Sequence, residues 1–200
     1  AAVSANNSVY FMDNGGFYVY SGSAQRLPCT VLDYVLSDLN QGQAFKIFGA
    51  VNDSANEIMW FYPSKDSSEI NRYVLYNYLE QVWSIGTTAD NFVRTAWDQA
   101  LILTNPIAAS KNSSTDNNNY IFRHEIGHGD DGADFTAFIE SSDFDLDPDG
   151  ENFISVNKII PDIQFRDQQS TSDSVDIIIK GRDYPLESLS TLSTVSVTPA

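Results

Sequence analysis

Short runs of aromatic and β-branched residues, separated by clusters of polar turn residues, dominate the chain. Between Ser8 and Gly22 two aromatic runs flank Asp13–Gly16, whose glycines can adopt positive φ, and this pattern predicts a β-hairpin. Further strands are predicted at 44–51, 57–62, 72–78, 81–86, 92–97, 106–110, 120–125, 135–140, 153–160, 163–166 and 175–180. The C-terminal run from Thr191 onward is also strand-like. The prediction is therefore a mostly-β protein.

One segment departs from this pattern. Between Thr30 and Asn40 the apolar residues recur at helical spacing, with Asp33 and Asp38 on the opposite side. The sequence therefore predicts one short amphipathic helix near 30–40.

The strands fall into groups that repeat along the chain. An apolar strand, a polar turn and an aromatic strand occur at 58–76 and again, more loosely, at 106–122. Four strands in about 40–45 residues make one blade of a β-propeller, although a sandwich has similar spacing. We expect propeller-like blades in residues 1–132 and further strands, blade-like or sandwich-like, in 133–200. The start at Ala1 and the strand-like end suggest a piece of a longer chain.

Composition restricts the function classes. The chain has 200 residues, 42% of them hydrophobic, which is enough for a substantial core. Its 27 acidic and 11 basic residues give a net charge of −16, which disfavours a protein that grips nucleic acid through phosphate contacts. The single cysteine, Cys29, cannot form an internal disulfide, and its apolar neighbours predict a buried thiol. No apolar run approaches the ~20 residues that a membrane-spanning helix needs.

The stretch His124-Glu125-Ile-Gly-His128 matches the zinc-peptidase pattern HExxH, and Asp134 falls where a longer form of the motif has a third ligand. In that motif both imidazoles project from one face of a helix. Here Gly127, Gly129 and Gly132 disfavour a long helix. In an extended chain the two imidazoles would lie ~13 Å apart and could not share one ion. We expect a strand and a turn, and no catalytic, cofactor-binding or metal-binding residue.

A second motif imitates a calcium site. Asp145-Leu-Asp147-Pro-Asp149-Gly150 resembles the start of an EF-hand loop, but Val156 stands where the bidentate glutamate is required. The favoured interpretation is a solvated acidic turn, and a looser calcium-binding turn stays open as the alternative.

Several segments, in the same order along the chain, resemble the tail hub or nozzle proteins of short-tailed bacteriophages, often described as packaged-DNA stabilisation proteins. These segments are 9–22, 27–34, 57–64, 72–78, 94–97, 106–109, 124–127 and 138–145. The resemblance implies a propeller-containing subunit in a homo-oligomer, a six-fold ring below the portal and its adaptor. It also implies contacts with tail fibres or spikes and a lumen through which DNA passes without sequence-specific binding.

The resulting hypothesis is a structural virion protein of the tail, assembled in the host cytoplasm, and not an enzyme. An acidic inner wall would repel phosphates and ease DNA ejection. Two alternatives are kept: a zinc metallopeptidase, disfavoured for the reasons above, and a β-propeller module that binds glycans through exposed aromatic side chains.

Overall fold

A computed structural model describes residues 1–88, 93–99, 102–110, 118–127, 137–141, 143, 154–163, 174–184 and 187–198. The described residues form a mostly-β fold with four antiparallel sheets, none of which closes on itself. The chain divides into two units, Ala1–Phe135 and Thr136–Ala200, which are described separately. No helix in the described ranges is both long and apolar enough to cross a bilayer.

The first sheet is a meander of four strands in the order β1-β2-β3-β4. They span Ala2–Ala5, Ser8–Asp13, Gly16–Tyr20 and Ala24–Leu27. The predicted hairpin is confirmed as β2 and β3, and Gly16 at its turn has a φ of 138°. β1 and β4 were not predicted, because these two short strands lack aromatic residues. Asn6 and Asn7 both have positive φ in the turn that joins β1 to β2.

The second sheet, β5-β6-β7-β8, confirms the predicted group of four strands. They span Phe48–Asn52, Glu57–Tyr62, Arg72–Asn77 and Val82–Thr87. The prediction that a strand begins at Ala44 is wrong, because Gln41–Lys46 forms a 3-10 helix. The side chain of Asn40 caps this helix by accepting a hydrogen bond from the Gly42 amide at 3.1 Å.

The third sheet has three strands in the order β11-β10-β9. They span Arg94–Asp98 (β9), Ile107–Ser110 (β10) and Tyr120–Arg123 (β11), close to the predicted strands. The predicted extension of the last strand to Glu125 is wrong. Glu125 has a φ of 58°, a left-handed conformation that an extended strand does not contain.

The predicted helix is confirmed as α1, Leu32–Asp38. Its Val35 is fully buried in a core cluster that joins the first and second sheets, with members such as Phe17 and Trp60. The phenol of the buried Tyr62 donates a hydrogen bond to the Asp38 carboxylate at 3.4 Å, which ties the end of α1 to β6.

Strand β6 is buried on both faces, and this makes it the centre of the unit. Ile58, Trp60 and Tyr62 point into the cluster shared with the first sheet. Met59 and Phe61 point the other way, into a second cluster against which Trp97 of the third sheet packs. The continuous apolar run in β6 therefore lies between neighbours on both faces.

The second unit contains an antiparallel ribbon of β12, Val175–Gly181, and β13, Ser190–Val197. This confirms the predicted strand at 175–180 and the strand-like C-terminal run. The strands predicted at 135–140 and 153–160 are wrong over residues 137–140 and 154–160, and Ile163 is not in a strand either. Residues 135, 136, 153 and 164–166 lie outside the described residues.

Residues 137–141 and 143 show why a strand pattern did not produce a strand there. Their described contacts with β12 and with the residue that follows it are side-chain ion pairs, Glu140 with Lys180 at 2.6 Å and Asp143 with Arg182. A strand requires a backbone ladder with a neighbour, and β propensity alone does not supply that neighbour.

Candidate functional site

The start of the HExxH motif lies just after β11 and forms a bend. Glu125 and Gly127 both have positive φ, at 58° and 73°, so residues 124–127 do not form a helix. The expectation of a strand followed by a turn is confirmed over 120–127. His128, Asp134 and the acidic run 145–150 lie outside the described residues. Within the described part of the chain, no group of three or more His, Cys, Asp or Glu side chains could hold a metal ion.

His124 is held in place by two residues of β9. Its Nε2 accepts a hydrogen bond from Nε of Arg94 at 3.0 Å, and its ring lies 4.5 Å from the Trp97 ring between centroids. The His124 backbone amide donates to the Pro106 carbonyl at 2.8 Å. A nitrogen whose lone pair accepts from a guanidinium cannot bind zinc with that lone pair at the same time.

Arg94 is itself buried, with 8% of its surface exposed. Its guanidinium lies 4.4 Å from the centroid of the Phe122 ring, in cation–π geometry. The third sheet carries these side chains on one face. Trp97 and Phe122 both pair with Ala108 of β10, from opposite sides. Arg94 pairs with Ser110, two residues further along β10, and therefore lies on the same face.

Trp97 connects the third sheet to the second. Its indole Nε1 donates to the Val51 carbonyl of β5 at 2.9 Å, and its ring packs 6.0 Å from the Phe61 ring. The Gln99 side chain adds a second link by accepting a hydrogen bond from the Asp53 amide at 2.7 Å. We call this region the sheet junction. It consists of Asn52 and Glu57 in the second sheet, Arg94 and Trp97 in the third, and the turn 124–127.

Two carboxylates meet at one amide in the sheet junction. Nδ2 of Asn52 lies 3.4 Å from a carboxylate oxygen of Glu57 and 3.3 Å from one of Glu125. Asn52 is 1% exposed, Glu57 is half-buried and Glu125 is exposed. The side-chain oxygen of Asn52, Oδ1, accepts a hydrogen bond from the Ser54 hydroxyl at 2.7 Å, so both ends of the side-chain amide are held.

The electrostatic environment of Glu57 is unfavourable to its charge. Burial raises the pKa of Glu57 above its ordinary value, and the negative charge of Glu125 raises it further. The hydrogen bond from Asn52 acts in the opposite direction but is the smallest of the three effects. The sheet junction therefore holds a carboxylate that costs free energy to ionise.

The described contacts of these side chains are structural. His124 binds Arg94, Glu125 binds Asn52, and Asn105 donates to the Glu125 carbonyl at 3.0 Å. The HExxH pattern drew attention to His124 and Glu125, whereas no motif in the sequence distinguishes Asn52. Arg94 and Trp97 were predicted only as members of a strand, because partners so distant along the chain leave no local pattern.

Comparison with known proteins adds no identification. No protein-family model matches the chain, and a search of curated proteins finds no significant match.

Proposed function

We propose that this chain is a structural protein of a short-tailed phage tail, a hub or nozzle subunit that forms part of the DNA exit channel. In this proposal it helps to retain packaged DNA and anchors fibres or spikes, and it acts through shape and assembly rather than catalysis. The observation that supports it best is the order of the three sheets in Ala1–Phe135, because each sheet packs against the next through its first strand.

The contacts between first strands are specific. β1 lies beside β5, and β5 lies beside β9. At Gly49 of β5, a Cβ would come within 3.3 Å of the Val3 side chain in β1. On the other side of β5, Val51 accepts the Trp97 hydrogen bond from β9. Antiparallel meanders that follow one another with their first strands adjacent are typical of propeller blades, whose first strands line the axis. We therefore propose a propeller-like arrangement of these three sheets.

The resemblance to tail hub proteins supports the same proposal. The resembling segments 9–22, 57–64 and 72–78 coincide with β2–β3, β6 and β7. They supply residues of the core cluster between the first two sheets, including Phe17, Trp60 and Tyr76. The resembling residues are thus those that would determine the packing of blades.

The acidic composition supplies a mechanism for the channel. At a net charge of −16, a lumen wall built by a ring of these subunits would repel phosphates, and DNA would slide past without adhering. Retention would then come from a constriction and not from binding.

Imaging of the virions tests this proposal most directly. We expect density for this chain on the tail axis, in a six-fold ring below the portal adaptor. Density elsewhere in the particle, or absence of the chain from purified virions, would overturn the proposal.

The charge mechanism has its own test, in which exposed acids such as Asp13, Asp53 and Asp66 are replaced singly by lysine, with the Asp→Asn variants as controls. A lumen-facing lysine should slow DNA release, and unchanged ejection kinetics across the series would refute the mechanism.

The non-catalytic part of the proposal is tested at His124. We expect purified protein to contain no stoichiometric zinc, and His124→Ala to leave any residual peptidase activity unchanged. Stoichiometric zinc that is lost in His124→Ala would favour the metallopeptidase instead.

One observation favours the glycan-binding alternative. On the face of the first sheet that points away from its core, Phe11 and Tyr18 stack at 5.2 Å with an interplanar angle of 15°, and Tyr20 is 49% exposed. Stacked, half-exposed rings are suited to the apolar faces of sugars. Glycan binding that is lost in Tyr18→Ala, and retained when Tyr34 at the exposed side of α1 is changed instead, would support this alternative.

A further inference from the structure

The Asn52 amide connects two sheets through charged groups. Glu57 begins β6 and pairs directly with Asn52 of β5, so both belong to the second sheet. Glu125 belongs to the turn that follows the third sheet. Because one amide nitrogen lies within hydrogen-bonding distance of both carboxylates, the two negative charges are held within two hydrogen-bond lengths of each other.

The sheet junction also contains the charged or titratable groups Arg94 and His124, and Asp53 lies beside it. Arg94 and His124 bind each other. Asp53 follows Asn52 in the chain and is exposed, and its amide donates a hydrogen bond to the Gln99 side chain. In the part of the chain that the structure describes, neither Glu57 nor Glu125 forms an ion pair with lysine or arginine.

We propose that Glu57 and Glu125 form a pH-sensitive latch between the second and third sheets, which closes on acidification and loosens as the pH rises. When Glu57 takes a proton from solvent, the two like charges become a carboxylic acid beside a carboxylate. The repulsion is then removed, and the new O–H can donate a hydrogen bond within the pair. The turn 124–127 is thereby drawn towards the end of β5.

Glu57 is the group that takes the proton first, because it is half-buried whereas Glu125 is exposed. The raised pKa of Glu57 has the sign that the latch requires. A group whose pKa is raised on folding contributes stability that is fully present below its unfolded pKa, near 4.5 here. That contribution is lost as the pH rises through the folded-state pKa.

Hydrogen exchange tests the latch. The His124 amide, bonded to Pro106, reports opening of the turn. After correction for intrinsic exchange, its protection should be greater at pH 5 than at pH 7.5, by about threefold if the Glu57 pKa in the closed form lies one unit above its ordinary value of 4.5. The part of the pH dependence that is due to the latch is the difference between the wild type and Glu57→Gln, because Glu57→Gln keeps the other titratable groups of the junction, His124 included. Glu80→Gln, a change at an exposed glutamate between β7 and β8, should behave as the wild type does. Equal pH dependence in the wild type and in Glu57→Gln would overturn the latch.

A second measurement does not depend on opening of the turn. Carbon-detected NMR titration should give Glu57 an apparent pKa that falls towards its ordinary value when Glu125 is changed to glutamine. If the Glu57 titration does not move, the two carboxylates are not coupled and the proposal fails. Neither result bears on whether the protein belongs to a phage tail, so the two proposals can fail separately.

Discussion

Trp97 should determine how firmly the third sheet is attached to the second. Trp97→Phe removes the hydrogen bond from the indole to the Val51 carbonyl, 2.9 Å long, but keeps an aromatic ring beside Phe61 and His124. Trp97→Ala removes the ring as well. The matched control is Trp83→Phe, which loses a similar 2.8 Å hydrogen bond to the Pro28 carbonyl on the side of the first sheet.

The expected magnitudes follow from these contacts. Loss of one such hydrogen bond costs about 1 kcal/mol, which corresponds to roughly a fivefold change in an opening equilibrium. Truncation of a fully buried aromatic residue to alanine costs about 3–5 kcal/mol, and the half-buried Trp97 should lose about 2–3 kcal/mol. The alanine variant should therefore open the third sheet tens to hundreds of times more often.

Native-state hydrogen exchange can locate the effect. In both Trp97 variants, the amides of Ile107–Ser110 should exchange faster, and those of Arg72–Asn77 in the second sheet should change much less. Trp83→Phe should leave the third sheet unaffected. Equal acceleration in both sheets, or no acceleration in Trp97→Ala, would show that Trp97 does not hold the third sheet.

Three further predictions concern the first two sheets. Gly86→Ala should destabilise the fold by about 1–3 kcal/mol in chemical denaturation, because the added Cβ would lie 2.1 Å from the Tyr73 ring, and Tyr73→Ala in the same chain should recover part of the loss. Burial raises the pKa of Tyr62 above its ordinary value near 10, and the Asp38 charge raises it further; wild-type stability should therefore fall as the pH rises above about 10, and less steeply in Tyr62→Phe. Burial also raises the pKa of the Cys29 thiol, so alkylation at pH 7.5 should be slow in the native protein and fast in denaturant, and equal rates in both states would contradict this.

Local pattern predicted much of the first unit. The hairpin at Ser8–Gly22 was predictable because a turn with glycine and its aromatic flanks are neighbours in sequence. The helix at 32–38 was predictable because its apolar spacing lies within one segment. The non-helical form of 124–127 followed from Gly127 and its surroundings. In each case the determining interactions connect residues a few positions apart.

Other features depended on residues far apart in the chain. The sequence determined which stretches could form strands and that His124 does not lie on a helix. Only the tertiary structure decided that 154–160 has no ladder among the described residues, and that Asn52 contacts both Glu57 and Glu125, which lies 73 positions from Asn52 in the chain. A strand needs a partner backbone, and a buried amide needs partners for its hydrogen bonds. Local propensity specifies neither, because both are decided when the sheets pack.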